Sequence, residues 1–184
     1  MAGISAFRSD DVRAAYLRLY DAALAASTIP VTESDIDTSF GRTHVLRAGD
    51  PSKPPLVALH GSSISSTSWV PLLPILTATH RVTMIDAIDE SGKSIATKPT
   101  TDSAGLVAWL DETLRAVDIQ RSALVAVSRG TWIATPHDRL SRAGGPLGAY
   151  VSGRGRERAA PELAGSRPHN HECSAHGTAR PIVP

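Results

Sequence analysis

The sequence has 184 residues, a length that fits one domain with a substantial core. Its net charge of +1 gives no reason to expect nucleic acid or an acidic membrane as a partner. The single cysteine, Cys173, excludes an internal disulfide framework and fits a reducing compartment. The beginning, "MAGISAFRSDDVRAAY", lacks the regions of a signal peptide, and no apolar run is long enough to span a bilayer. We therefore expect a cytoplasmic protein.

The composition changes near Pro136. Residues 1–135 have the composition of a folded domain. In residues 137–184, Arg, Gly and Ala occur seven times each and Pro five times, and the large apolar residues follow no regular period. Such a segment cannot bury enough apolar surface to offset its ordering entropy. The sequence therefore predicts a folded domain over 1–135 and a disordered tail over 136–184.

The first predicted elements are a helix and a hairpin. Apolar residues recur at helical spacing over 10–26, and two acidic residues after Ser9 favour a helix start there. Segments 33–39 and 43–47 have strand character on either side of Gly41-Arg42, which predicts a hairpin with its turn at that pair.

Three continuous apolar runs follow the hairpin. They are "LVALHG" over 56–61, "RVTMIDA" over 81–87 and "SALVAV" over 122–127. A helix capped by Thr101 or Asp102 separates the last two runs. Strands without polar alternation, separated by helices, predict a mostly parallel sheet covered on both faces. In such sheets the chemistry lies at the carboxyl ends of the strands.

Three segments together resemble the α/β-hydrolase family. They are "LVALHGSSISSTSW" (56–69), "RVTMIDAIDESGKS" (81–94) and "LVAVSRGTW" (124–132). In order, they are similar to the family's oxyanion loop, its strand with a following G-x-S, and its nucleophile elbow. The resemblance covers about residues 7 to 135 and is nearest to esterase-like and proline-iminopeptidase-like members. It implies a partial α/β-hydrolase fold acting on a small-molecule ester or amide, without a cofactor, a metal, nucleic acid or a membrane.

The nucleophile elbow of the family has the pattern G-x-S-x-G. Here it reads Ala126-Val127-Ser128-Arg129-Gly130, so one methyl group replaces a hydrogen at the first position. A strand that turns abruptly into a helix holds its serine in a strained and exposed turn. The flanking positions must be small because backbone passes close on both sides. The resemblance therefore implies that Ser128 is the nucleophile.

The resemblance also implies two donors for the oxyanion of an acyl-transfer reaction. They are the backbone N–H groups of Arg129 and of Ser62, the residue that follows His60-Gly61. One such donor contributes about 3–4 kcal/mol of transition-state stabilisation. His60 takes a structural role beside the oxyanion loop in the family, and we expect the same role here rather than that of a base.

A second motif competes with the hydrolase interpretation. "AIDESGKS", residues 87–94, follows a strand and nearly matches the phosphate loop G-x-x-x-x-G-K-[ST]. However, Ala87 occupies the first glycine position, and the following "IATKPTT" does not favour the helix that a phosphate loop should open. In the hydrolase interpretation, Lys93 is incidental, while Asp86 and Asp89 shape loops.

A complete hydrolase triad is not readable in the sequence. The family's acid and histidine follow later strands, and no strand is predicted beyond Pro136, which should also end the helix after the elbow. His169, His171 and His176 lie in the tail without a recognised metal-site spacing.

These observations leave several hypotheses for the whole chain. We expect an α/β-hydrolase that is truncated or frameshifted after about residue 135 and has little or no turnover. A non-catalytic hydrolase remnant or a small-molecule binding module is the main alternative. A nucleotide binder of the phosphate-loop type is the third.

Overall fold

The computed structural model describes residues 7–100, 102–141 and 149–152. The predictions for the remaining tail lie outside the described residues. They include the disorder of residues 142–148 and 153–184, the histidine cluster and Cys173.

Four α-helices, one 3₁₀ helix and seven strands make up the described chain. In order they are α1 (Asp10–Ala25), β1 (Val31–Thr38), β2 (Gly41–Ala48), β3 (Pro55–Leu59), the 3₁₀ helix (Ser66–Leu72), α2 (Leu73–Leu76), β4 (Arg81–Ile85), β5 (Ile95–Ala96), α3 (Ser103–Ala116), β6 (Ala123–Val127), α4 (Arg129–Ser141) and β7 (Ala149–Ser152). None of these described helices has the length and hydropathy that a membrane-spanning helix requires.

The strands form one sheet in the order β1-β2-β4-β3-β6-β7, and β5 pairs with β2. Strands β4, β3, β6 and β7 run parallel, whereas β2 is antiparallel to β1, β4 and β5. The predicted α/β class is confirmed: four strands of this mixed sheet run parallel, and the antiparallel pairs all involve β2 of the hairpin. The carboxyl ends of β3, β4 and β6 lie at the same edge, where an α/β fold places its chemistry.

Each face of the sheet carries its own hydrophobic core. One core packs side chains of α3 and α4, such as Trp109 and Ile133, against β3 and β6. The other packs α1 and the 3₁₀ helix, through Tyr20 and Trp69, against the same sheet. Successive residues of β3 alternate between the two cores, as the pleat of a strand requires. Helical cover on both faces keeps the edge with the carboxyl ends open for a site.

The predicted helix starts are confirmed. The Ser9 hydroxyl accepts a hydrogen bond of 3.3 Å from the Val12 N–H at the start of α1. The Asp102 carboxylate accepts one of 2.8 Å from the Gly105 N–H at the start of α3. Each cap satisfies an N–H that has no partner within its helix.

The predicted position of the hairpin turn is wrong by two residues. The turn is Ser39-Phe40, and Gly41 is already the first residue of β2. Gly41 is needed for another reason, because a Cβ atom there would lie only 2.2 Å from the carbonyl oxygen of Ile95 in β5. Gly41 is thus a glycine required by the close approach of β5, and in the sequence such a glycine cannot be distinguished from a turn glycine.

Two expectations about the region after the elbow are also wrong. Helix α4 continues through Pro136 to Ser141, although an interior proline costs about 3 kcal/mol. Ile133 and Ala134 are buried in the core, and this packing holds the helix in place. A further strand, β7, lies parallel to β6, so that edge of "SALVAV" is covered. Its short segment "AYVS" carries too little pattern to be recognised among glycines and arginines.

Candidate active site

Ser128 lies in a strained turn between β6 and α4. Its φ is +49°, in the left-handed region that residues other than glycine rarely adopt. Among the described residues, no hydrogen bond engages the hydroxyl, and the residue is exposed. A strained backbone that presents a free hydroxyl at the carboxyl edge of a sheet is the geometry of a nucleophile elbow.

The small residues around Ser128 are required by close backbone packing. A Cβ atom on Gly130 would lie 2.5 Å from the carbonyl oxygen of Leu59 and 2.7 Å from that of His60. Ala126 is fully buried and lies beside Leu59 in the paired strands β6 and β3. The positions that the resemblance marks as small are therefore those where the elbow meets the end of β3.

The loop after β3 touches the elbow through Gly61. A Cβ atom on Gly61 would lie 3.5 Å from the Cβ of Ser128 and 3.6 Å from the carbonyl oxygen of Val127. Ser62 follows directly and is exposed. The two segments that the sequence marks as oxyanion loop and nucleophile elbow therefore lie side by side.

The N-terminus of α4 offers a backbone donor beside Ser128. The carbonyl oxygen of Ser128 accepts hydrogen bonds from the N–H groups of Thr131 and Trp132. Arg129 is the first residue of α4, and the first N–H groups of a helix have no acceptor within it. They also lie at the positive end of the helix dipole, which favours negative charge.

His60 uses both ring nitrogens in hydrogen bonds within the fold. Its Nε2 accepts a bond of 2.9 Å from the Ala87 N–H, so its Nδ1–H donates to the carbonyl oxygen of Gly61 at 2.7 Å. The side chain is buried, with 2% of the residue exposed. His60 therefore ties the end of β3 to the end of β4.

Asp86 holds two loops together from a fully buried position. Its Oδ1 accepts hydrogen bonds from the N–H of Ser66 at 2.8 Å and from the hydroxyl of that residue at 2.6 Å. Its Oδ2 accepts one from the Lys93 N–H at 2.8 Å. The carboxylate thus joins the start of the 3₁₀ helix to the loop after β4, and its expected loop-shaping role is what the geometry shows.

The structure does not support a phosphate loop at residues 87–94. The loop leads into the short strand β5 rather than a helix. The Lys93 ammonium lies 2.7 Å from the carboxylate of Asp21 and 2.6 Å from that of Glu33. Burial lowers the pKa of Lys93, but the two carboxylates outweigh it, and the net shift is upward. Lys93 is therefore a charge-paired tie between α1, β1 and the loop after β4, and not an incidental residue.

The Arg129 side chain binds two acidic residues that follow β4. Its guanidinium forms ion pairs with Asp89 and with Glu90, the latter at 3.0 Å. Glu90 also accepts a hydrogen bond of 2.8 Å from the Ser63 N–H, in the loop after β3. The role of Glu90 was missed in the sequence, because nothing in its spacing shows which loop it reaches.

A groove lies beside the site, between α1 and the loop after β3. It has a volume of about 300 Å³. Its lining residues are Tyr16, Leu19, Tyr20, Ser63, Ile64, Ser65, Thr67 and Ser68. Burial raises the pKa of both tyrosine hydroxyls, which favours their protonated form. The Ile64 Cδ1 atom would lie 3.7 Å from a Cβ on Gly61, so one wall of the groove reaches the loop beside Ser128.

The described side chains contain no group of three or more His, Cys, Asp or Glu residues that could hold a metal ion. The site as described therefore offers backbone donors and a serine hydroxyl as its chemical groups.

Comparison with known proteins relates the chain to carboxylesterases, although no protein-family model matches it. It is 30% identical to the uncharacterized carboxylesterase nap of Bacillus subtilis (strain 168) over 115 residues, which are 62% of this chain and 38% of the relative. It is 26% identical to carboxylesterase YbfK of the same organism over 144 residues, 74% of this chain and 49% of the relative.

Solved structures give the same result for the fold. Naproxen esterase (carboxylesterase NP) from Bacillus subtilis superposes with a TM-score of 0.67 and 28% identity, over 71% of this chain and 46% of the esterase. Carboxylesterase CesB (YbfK) superposes with a TM-score of 0.66 over 68% of this chain and 44% of that one. The chain thus spans less than half the length of these relatives. Its fold is consistent with an N-terminal portion of an α/β-hydrolase, and the predicted resemblance is confirmed.

Proposed function

We propose that this chain carries the nucleophile and oxyanion site of a serine hydrolase that cleaves carboxylic esters. The observation that carries the proposal is the left-handed backbone of Ser128, with φ of +49°, at an exposed turn from strand to helix. The carboxylesterase relatives support an ester as the substrate class. An amide is the alternative acyl substrate of the same site.

In the proposed reaction, the Ser128 oxygen attacks the carbonyl carbon of the ester. The carbonyl π electrons move to its oxygen, and the backbone N–H groups of Ser62 and Arg129 donate to the resulting oxyanion. Collapse of this intermediate expels the alcohol and leaves an acyl-serine, which water then hydrolyses. A base must take the proton of Ser128 and pass it to the leaving alcohol oxygen, and then take a proton of water and return it to the Ser128 oxygen.

None of the described histidine side chains is placed to act as that base. Both ring nitrogens of His60 are used within the fold. The ring of His44 lies between the carboxylates of Asp35 and Glu33, at 2.7 and 3.1 Å. His80 directly precedes β4 and so lies at the amino edge of the parallel strands, opposite Ser128.

We therefore infer that turnover by this chain is weak. Removing a triad residue lowers the turnover of serine hydrolases by roughly 10⁴ to 10⁶, while oxyanion donors and binding still leave a rate roughly 10³ to 10⁴ above water. Hydrolysis that depends on Ser128 but is slow is the behaviour that this geometry supports.

The experiment is hydrolysis of p-nitrophenyl butyrate by the wild-type chain, by Ser128→Ala and by Ser52→Ala. Ser52 is an exposed serine in the loop before β3, at the opposite edge of the sheet, and serves as the matched control. We expect slow release of p-nitrophenol that Ser128→Ala abolishes and Ser52→Ala retains. Equal rates for the wild type and Ser128→Ala overturn the proposal.

The second candidate function is a non-catalytic small-molecule binding module. The groove of about 300 Å³ between α1 and the loop after β3 favours it, since a pocket of that size accommodates a small ligand. Saturable binding of the same ester without any p-nitrophenol release supports this candidate over the enzyme.

A further inference from the structure

One carboxylate connects the two segments that supply the proposed oxyanion donors. Glu90 follows β4, and its Oε2 accepts the Ser63 N–H at 2.8 Å. Its Oε1 lies 3.0 Å from Nε of Arg129. Ser63 adjoins the donor Ser62, and Arg129 is itself the other donor. Glu90 therefore touches both halves of the proposed site without belonging to either loop.

The backbone at Ser63 has an unfavourable conformation that a contact such as the one with Glu90 stabilises. Ser63 has φ of +60°, a conformation that a serine adopts only when its surroundings hold it. The hydrogen bond to Glu90 is a contact that fixes this residue's N–H direction. A relaxed Ser63 would rotate the peptide that joins it to Ser62, and the Ser62 N–H lies in the next peptide unit along the loop.

On the elbow side, ion pairs of the Arg129 side chain hold the start of α4. The Arg129 guanidinium forms ion pairs with Glu90 and Asp89, and its side chain is 26% exposed while those of the acids are 16% and 20% exposed. The Asp89 contact is a hydrogen bond between charged groups, a type stronger than a neutral hydrogen bond, whereas the Glu90 contact is an ion pair. The first residue of α4 is thereby fixed relative to the loops after β3 and β4.

We propose that Glu90 is a positioning residue that sets the spacing of the two oxyanion donors, Ser62 and Arg129. The inference rests on the proposed function, because it assigns a role within that site. Oxyanion donors act only when they lie about 2.7–3.1 Å from the developing negative charge. A displacement of about 1 Å lowers a rate by as much as roughly 100-fold. Glu90 acts through these donors and does not touch the substrate.

An electrostatic role for Glu90 predicts the opposite result. Asp89 and Glu90 carry two negative charges against the one positive charge of Arg129. If only charge mattered, neutralising Glu90 would favour the oxyanion and speed the reaction. If positioning matters, the loss of the tie slows it. The two roles are therefore separated by the sign of the effect.

The experiment measures the reaction of Ser128 with an alkyl fluorophosphonate, in which the serine oxygen bonds to phosphorus, fluoride leaves and the hydroxyl proton passes to solvent. Labelling rates at several probe concentrations give kinact and KI, and peptide mass spectrometry locates the adduct. The variants are Glu90→Ala, which removes both contacts, and Glu90→Gln, which retains an acceptor for Ser63 but loses the ion pair. Glu112→Ala is the matched control. Glu112 lies on α3, away from the elbow, and its carboxylate also accepts a hydrogen bond from a serine backbone N–H, that of Ser39.

We expect Glu90→Ala to lower kinact at least about tenfold, with KI little changed and with Glu90→Gln in between. Glu112→Ala should label like the wild type. A merely structural role of Glu90 would lower the thermal stability of Glu90→Ala without lowering kinact more than it changes KI. If Glu90→Ala does not fold, Glu90→Gln decides the sign.

Wild-type kinact in both Glu90 variants, or faster labelling of Glu90→Gln, overturns the positioning role and leaves the proposed function standing. Absence of any adduct on Ser128 of the wild-type chain overturns the proposed function, and the positioning role with it.

Discussion

The loop after β4 and the elbow after β6 lie at the same edge of the sheet but use their polar groups differently. The Asp86 carboxylate is fully buried and accepts hydrogen bonds from Ser66 and Lys93. Ser128 is exposed, has a strained backbone and keeps its hydroxyl out of the hydrogen bonds of the described fold. The first loop stabilises the fold, whereas the second holds an exposed hydroxyl, the proposed nucleophile, on a strained backbone.

The largest effect that tests this comparison is expected from Asp86→Ala. The change leaves the buried N–H of Ser66 and the part-buried N–H of Lys93 without their acceptor, and each orphaned buried donor costs about 1–3 kcal/mol. We expect the free energy of unfolding to fall by about 4 kcal/mol. Urea unfolding followed by the fluorescence of Trp69 and Trp109, which are both buried, measures it.

Asp50→Ala is the matched control for Asp86→Ala. The Asp50 carboxylate also accepts bonds from a serine N–H and hydroxyl, both of Ser52, but it is fully exposed. Water replaces those bonds when the carboxylate is removed, so we expect the midpoint of urea unfolding to change little. Equal losses in the two variants would contradict the distinction between a buried and an exposed carboxylate.

The strained turn at Ser128 could be predicted from the sequence because its backbone depends on neighbours along the chain. A strand, a serine and two small residues within five positions are sufficient to indicate the turn, and Ser128 has the backbone that this pattern requires. The strands β3, β4 and β6 were found for the same reason, since a continuous apolar run signals a strand buried on both faces. Their common edge then followed from their parallel direction.

The contacts that the sequence did not predict join residues far apart along the chain. Glu90 reaches Ser63 and Arg129 across two strand ends, and Lys93 reaches Asp21 and Glu33. Such pairs depend on which loops the strand order brings together. The order β4-β3-β6 cannot be predicted from any single segment of the sequence. Local pattern therefore indicated the turn at Ser128, while the contacts that hold its surroundings needed the fold.

A second test of the difference between the two regions uses Gly130 in the elbow and Gly61 in the loop that contacts it. Gly130→Ala would place a methyl group 2.5 Å from the carbonyl oxygen of Leu59, a backbone atom that cannot move aside. We expect a loss of about 3 kcal/mol in the free energy of unfolding, at the upper end for overpacking. Gly61→Ala is the control, because its methyl group would make an ordinary contact of 3.5 Å with Ser128. If both variants unfold at the same urea concentration, the close packing around the elbow is not what the structure indicates.

The strain at Ser128 predicts a stabilising substitution in the proposed site. Ser128→Gly removes the penalty of a left-handed backbone, so we expect the free energy of unfolding to rise by about 1 kcal/mol. Ser128→Ala keeps the strain and should bring no such gain. Asp118→Gly, at φ of +56°, is the control outside the site, and its gain should be smaller because aspartate tolerates this conformation better than serine. Destabilisation by Ser128→Gly would show that the turn is not strained.

The smallest expected effect concerns Glu112, which makes at the surface the kind of contact that Asp86 makes in the interior. The N–H and the hydroxyl of Ser39 both donate to the Glu112 carboxylate. Both hydrogen bonds lower the pKa of Glu112, and the N–H bond has the larger effect. Because solvent screens an exposed group, we expect Glu112→Gln to lower the free energy of unfolding by only about 0.5 kcal/mol at neutral pH.

The difference in the free energy of unfolding between the wild type and Glu112→Gln should change with pH in a defined direction. A carboxyl group whose pKa is lowered by folding stabilises the protein above its unfolded pKa, and this stabilisation is lost as pH falls through the folded pKa. The gap between wild type and Glu112→Gln should therefore be full at pH 7 and close below the ordinary glutamate pKa of 4.5. Urea unfolding of both proteins across this range measures it, with Ser39→Ala as the control that removes only the hydroxyl bond. A gap that stays constant on acidification would mean that Glu112 stabilises the fold by packing rather than through its charge.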